Sequence, residues 1–179
     1  MLFSRVISFL AFSFTLGTIA AGKPVATRSE VTVQDMFTSL QSNTQNILPQ
    51  IKGLAAEGNA TNESVGPLVI ELISVLRGTQ GSLTLIGPIS SDARNDSLVE
   101  LIADIVTDIV ETLDLLANST DITDLSGLVS GADFALADVL LGLDVILVGV
   151  TALVATLLTG LTVPLGAIGF VQTITALKL

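Results

Sequence analysis

Apolar positions recur along this chain with a helical period, and polar positions gather on the opposite faces. The clearest case is 96–117. There Leu98, Leu101, Ile102, Ile105, Val106, Ile109, Val110, Leu113 and Leu116 form one broad stripe, and Asp96, Glu100, Asp104, Asp108 and Glu111 line the other side. An earlier helix is expected from Thr32, a good N-cap residue with Asp35 three positions on. Val33, Met36, Phe37, Leu40, Ile47, Ile51 and Leu54 continue it at helical spacing. Pro49 is expected to kink or divide that helix. The stretch 57–66 reads as a loop. Pro67 suits the first turn of a second helix running to about Gly87. A long fourth helix is expected from Gly131 or earlier to Val163, stopped or bent by Pro164, with a short fifth element over 165–177. The pattern predicts an all-α bundle of about five helices, with amphipathic N-terminal helices packed around a very hydrophobic C-terminal region.

The pattern changes character after Asp144. The next 33 residues carry no formal charge, and the run ends at Lys178. Fifteen Val, Leu, Ile or Phe side chains fall within 145–171. At ~1.5–3 kcal/mol for each one buried, their drive to leave water is roughly 20–45 kcal/mol before chain entropy is subtracted. A solvated tail is therefore excluded, and three destinations remain. A membrane span has the necessary length but is not favoured. No Lys or Arg lies between Arg94 and Lys178, the chain has no Trp or Tyr for an interfacial belt, and Gly149, Gly160 and Pro164 interrupt the run. A glycolipid-anchor signal lacks its polar spacer. The tail is left to the protein's own core, to an external apolar interface, or to both. On a continuous helix Gly131, Gly142, Gly149 and Gly160 would lie within about 20° of one another. They would make a seam of small residues for close helix approach, suited first to intramolecular packing and second to self-association. The β-branched residues at 145–151 leave a β conversion on a surface open.

Composition narrows the chemistry. Residues 1–22 read as a secretion signal: Arg5 supplies the basic end, 6–16 the apolar core, and small residues near Gly22 the cleavage site. A polar, flexible segment is expected over 23–31. One helical domain follows over 32–179, acidic and polar to 124 and hydrophobic from 125. Formal net charge is −10, and eleven acids without a single base occupy 95–177. That excludes nucleic acid as a partner and opposes charge-driven binding to an anionic membrane. The chain has no Cys and no His, which removes thiol and Ser-His-Asp chemistry, haem ligation by His and ordinary zinc sites. No catalytic, cofactor-binding or metal site is assigned, and no enzyme is expected. Four Asn-x-Ser/Thr sequons begin at Asn59, Asn62, Asn95 and Asn118. They account for four of the six Asn residues, and all fall in expected loops, which points to N-glycosylation of a secreted chain.

This layout resembles the small cysteine-free wall and matrix proteins that mushroom-forming fungi secrete. It joins a signal, a polar helical half without Cys, and a Leu/Val/Gly-rich tail such as Leu140-Leu141-Gly142-Leu143-Asp144-Val145-Ile146-Leu147-Val148-Gly149. The resemblance covers the mature chain and implies hyphal aggregation and attachment in the extracellular matrix, with aerial hyphae as the setting. The chain also resembles the hydrophobic-surface-binding wall proteins of moulds, whose C-terminal region is less oily. Expected partners are hydrophobic surfaces or the air–water interface, further copies of the chain, and wall polysaccharide or lipid. A secreted fatty-acid carrier and a membrane-anchored surface glycoprotein are the alternative expectations.

Overall fold

The computed structural model describes residues 25–86, 96–118, 122 and 124–179. Within them lie α1 (Val25–Ala56), α2 (Asn62–Leu83), α3 (Asp96–Ala117), α4 (Leu125–Ile146), α5 (Val150–Leu157), α6 (Thr162–Ile168) and α7 (Val171–Leu177). A 3-10 turn at Thr159–Leu161 joins α5 to α6. No strand occurs among the described residues, and the all-α class expected from periodicity is the class observed. The expected signal at 1–22 lies outside the described residues.

The third helix has the limits its stripe predicts, and Leu98, Ile102, Ile105, Val106, Ile109, Val110, Leu113 and Leu116 are all buried. Other boundaries differ, each for a local reason. Helical backbone begins at Val25, within the segment expected to be flexible. Pro49 does not divide α1. Pro49 and Gln45 are both exposed, so the carbonyl that loses its helical partner faces water, while buried Ile47, Leu48 and Ile51 anchor the helix on either side. The loop after α1 is short because Gly58 takes a left-handed conformation, φ 68°. Gly58 N–H then donates to the Ala55 carbonyl at 3.2 Å and Asn59 N–H to the Leu54 carbonyl at 2.9 Å, closing the helix with a Schellman motif. The α2 helix starts at Asn62, five residues before Pro67. Thr61 is its N-cap and forms a reciprocal capping box with Ser64.

The largest correction concerns the C-terminal half. The single helix expected over 131–163 ends at Ile146, and the fifth element expected over 165–177 is two helices. Gly149 is left-handed, φ 81°, and turns the chain before α5. Gly169 is left-handed, φ 83°, and separates α6 from α7. Apolar periodicity alone could not show these breaks, because a glycine that permits a left-handed turn is also tolerated inside a helix.

The helices close into a ring. α1 packs on α2 and α3, and α2 packs on α4. The gap between α3 and α4 is filled from the C-terminus, with α5 and α6 against α3 and α7 against α4. Of the fifteen Val, Leu, Ile and Phe residues in 145–171, eight are buried, among them Ile146, Val154, Leu165 and Phe170; six remain exposed. The tail thus completes the protein's own core while keeping an outer apolar surface. Among the described residues no single helix is long and apolar enough to cross a membrane. The segments Val150–Leu157 and Thr159–Ile168 reach that length and composition only together, across a bend of 65°.

The four glycines of the expected seam separate accordingly. Gly131 and Gly142 face α2. A Cβ at Gly131 would lie 2.9 Å from the Ile73 Cδ1, and one at Gly142 would lie 3.8 Å from the Leu83 Cδ1. These pairings also show that α2 and α4 run in the same direction. Gly149 forms the turn, and Gly160 is exposed in the 3-10 segment with open space around it. Opposite effects of one substitution follow. Gly142→Ala makes ordinary contact and is expected to stabilise the fold by about 0.5–1 kcal/mol through helix propensity. Gly149→Ala forces a side chain into the left-handed region and is expected to cost about 1–2 kcal/mol. Urea unfolding of the two variants reads both signs.

Candidate functional site

The α4 helix has three working sides. Gly131 and Gly142 face α2. Asp133 and Asp144, eleven residues apart and therefore about 20° apart around the axis, face the C-terminal helices. Phe134, Leu141 and Val145 lie within about 40° of one another on the third side, which is exposed to solvent and also carries Asp138.

The two acids supply what the tail lacks. None of α5, α6 and α7 has a side-chain N-cap hydrogen bond from its own cap residue. Asp133 fills that role for α7 from across the bundle. The Gln172 N–H donates to Asp133 Oδ2 at 2.9 Å and the Thr173 N–H to Oδ1 at 2.8 Å. The Thr173 hydroxyl donates to the Asp133 backbone carbonyl at 3.4 Å. Asp144 braces the start of α5 in another way: its Oδ1 accepts the N–H of the cap residue Gly149 at 3.0 Å and the Thr151 hydroxyl at 2.8 Å. Asp133 is 3% exposed and is the one buried charged residue among those described. Its partners are peptide donors at a helix N-terminus, where the dipole favours a negative charge. Sequence reading overlooked this role. The available signal was an acid standing among Ala132, Ala135, Leu136 and Ala137 in an apolar stretch.

The exposed apolar side chains concentrate on the C-terminal half. Of the eleven large apolar residues that are exposed among the described residues, eight lie in it: Phe134, Leu141, Val145, Val148, Leu153, Leu157, Val163 and Val171. Leu85, at 87% exposure, joins them in space, because α2 ends beside the second half of α4. Three of the four sequon asparagines lie about the other end of these two helices. Asn62 Oδ1 accepts the Asp124 N–H at 3.5 Å, which places the start of α2 beside the start of α4. Asn59 is three residues from that contact, and Asn118 closes α3 six residues before Asp124. Asn59, Asn62 and Asn118 are all exposed; Asn95 lies outside the described residues. Along α4, Val145 is about 30 Å from this end. Other exposed apolar residues lie closer to the sequons: Leu115 near the end of α3, Ile70 and Phe134 in the first halves of α2 and α4, and Val171 beside Gln172, which bonds to Asp133. No group of acids that could hold a metal ion occurs among the described residues. The Lys52–Asp108 pair at 3.8 Å is a solvent-exposed link between α1 and α3 and contributes little.

No protein-family model matches the chain. Fruiting body differentiation protein 16 of Flammulina velutipes is 35% identical over 89 residues, a match that spans 46% of this chain and 69% of that protein. The chain is all-α among the described residues and belongs to the family of that Flammulina protein.

The borrowed caps give a direct prediction. Asp133→Ala leaves two peptide donors of α7 without an acceptor and is expected to cost about 2–4 kcal/mol in urea unfolding. Asp133→Asn keeps one acceptor oxygen and is expected to cost about half as much. Amide exchange at Gln172 and Thr173 should accelerate in both variants.

Proposed function

We propose that this chain is a secreted, surface-active cell-wall or extracellular-matrix protein that promotes hyphal aggregation and attachment by hydrophobic adsorption and self-association. The observation that carries this reading is the separation along the bundle. Asn59, Asn62 and Asn118 lie about the starts of α2 and α4, while Leu85, Leu141, Val145 and Val148 stand exposed about the ends of the same two helices; the other exposed apolar residues of the C-terminal half, Phe134 among them, are spread over α4 to α7. A body with a hydrated end and an oily end orients at a boundary between water and air, wax or lipid. The name of its Flammulina relative fits such a role in a fruiting body. N-glycans at the sequon positions would extend the hydrated end, and the acidic surface would keep the dissolved protein from clumping.

Adsorption is tested with the lipid-free protein recovered from culture medium. The chain is expected to lower the surface tension of water strongly. Replacing Phe134, Leu141 and Val145 together by Ser alters exposed positions, so the fold should survive, as circular dichroism would report. About half of each side chain's ~1.5–3 kcal/mol is then lost, which weakens adsorption by roughly 2–4 kcal/mol. A triple variant that adsorbs as tightly as the parent would remove this face from the mechanism. A fatty acid bound at one-to-one stoichiometry in native mass spectrometry would point to a carrier instead.

A further inference from the structure

Resting on the secretory reading above, we infer that Asn59, and not Asn62, carries the N-glycan of the adjoining sequon pair, because the N-cap of α2 is built from the same residues. The two sequons are Asn59-Ala60-Thr61 and Asn62-Glu63-Ser64. Their hydroxyls are the two halves of one capping box. Thr61 Oγ1 accepts the Ser64 N–H at 3.2 Å, and Ser64 Oγ accepts the Thr61 N–H at 2.9 Å. The Ser64 hydroxyl also donates to the Asn59 carbonyl at 2.9 Å. A transferase that reads the sequon hydroxyl must therefore act before α2 is capped. At that stage Asn59 leaves the ribosome first, and a sugar on it crowds Asn62 three residues away.

The folded product distinguishes the two asparagines further. Asn59 lies outside any helix, is exposed, and its Nδ2 donates to the exposed Glu57 Oε2 at 3.2 Å. Transfer forms a bond from Asn59 Nδ2 to the anomeric carbon of a polyprenyl-diphosphate-linked oligosaccharide. It breaks that carbon's bond to the diphosphate oxygen and releases the diphosphate and one amide proton. Glu57 and Ser64 both border an open groove of about 590 Å³ between α1 and α2, walled by Pro49, Leu54, Pro67 and Leu68. The first sugar on Asn59 thus emerges beside unfilled space. Asn62 is the first residue of α2, and its side-chain carbonyl accepts the Asp124 N–H. A sugar on that amide places bulk where α2 meets the start of α4.

The test uses the full chain, with its own leader, secreted by a fungal host and recovered from the medium. Glycans are removed enzymatically in heavy-oxygen water, and the tagged positions are mapped by peptide mass spectrometry. Label at 59 with Asn62 unmodified is the expected result. Label at 62 without 59, label at both in one molecule, or label at neither overturns the inference. A second variant, Ser64→Glu, keeps an acceptor at the third helical position for the capping box and deletes the second sequon. It should leave the glycan mass unchanged, and loss of one glycan overturns the inference. Secretion and surface tension are read on the same preparation. A secreted, surface-active protein bare at Asn59 refutes this inference alone, whereas a protein glycosylated at Asn59 but inert at interfaces refutes the adsorption reading alone.

Discussion

The closed form of this bundle depends on a carboxylate lent by one helix to another. Helices of seven or eight residues do not hold together by themselves in water, because nucleation outweighs the few hydrogen bonds they gain. α5, α6 and α7 have that length, and their own cap residues leave the first peptide donors without side-chain acceptors. Asp133 on α4 meets two such donors for α7, and Asp144 accepts the N–H of Gly149, the residue that caps α5, together with the Thr151 hydroxyl. The apolar sides of the short helices can then seat Val154, Leu165, Phe170 and Leu177 in the core. Without the acids, burial would have to compete with unmet N–H groups at two helix starts.

The same arrangement explains how an uncharged run coexists with an acidic body. Covalent order suggests a wet head joined to a loose oily tail. In space, much of the tail is the wall that closes the ring between α3 and α4. What remains apolar outside is narrower: the solvent side of α4, the α4–α5 turn, and outward positions on α5, α6 and α7. On the proposed reading the amphiphile is the folded bundle, with sequon positions about the starts of α2 and α4 and exposed apolar residues along α4 and on the helices that follow it. An object of this kind can meet an interface without unfolding first.

Legibility followed the strength of local signals. The α3 limits were readable because nine apolar residues and five acids leave a single solution for the helix and its buried side. The α2 helix starts ahead of the position Pro67 suggests, because Thr61 and Ser64 form a capping box that has Ser in the place usually taken by Glu or Gln. The break at 147–149 was not readable. Gly149 in an unbroken apolar run is compatible with a helix interior and with a left-handed turn, and the choice is made by Asp144 folding back onto the Gly149 amide and the Thr151 hydroxyl. For the candidate site, the oily region and the sequon positions were visible by type. That Asn59 and Asn62 lie far from Leu85, Leu141 and Val145 was not, since it depends on α2 and α4 running side by side in one direction.

The sequence by itself determined the helical class, the helix limits where amphipathic periodicity is strong, the acidic balance, and the absence of Cys and His together with the chemistry that absence removes. These are properties of residue identity and short-range spacing, which the chain carries before it folds. Only the tertiary structure decided which tail residues are core and which are surface, which glycines pack and which turn, and that Asp133 serves a helix forty residues away. Those outcomes arise from contacts between distant segments, where the cost of burying a charge or breaking a helix is offset by a partner that local sequence does not reveal.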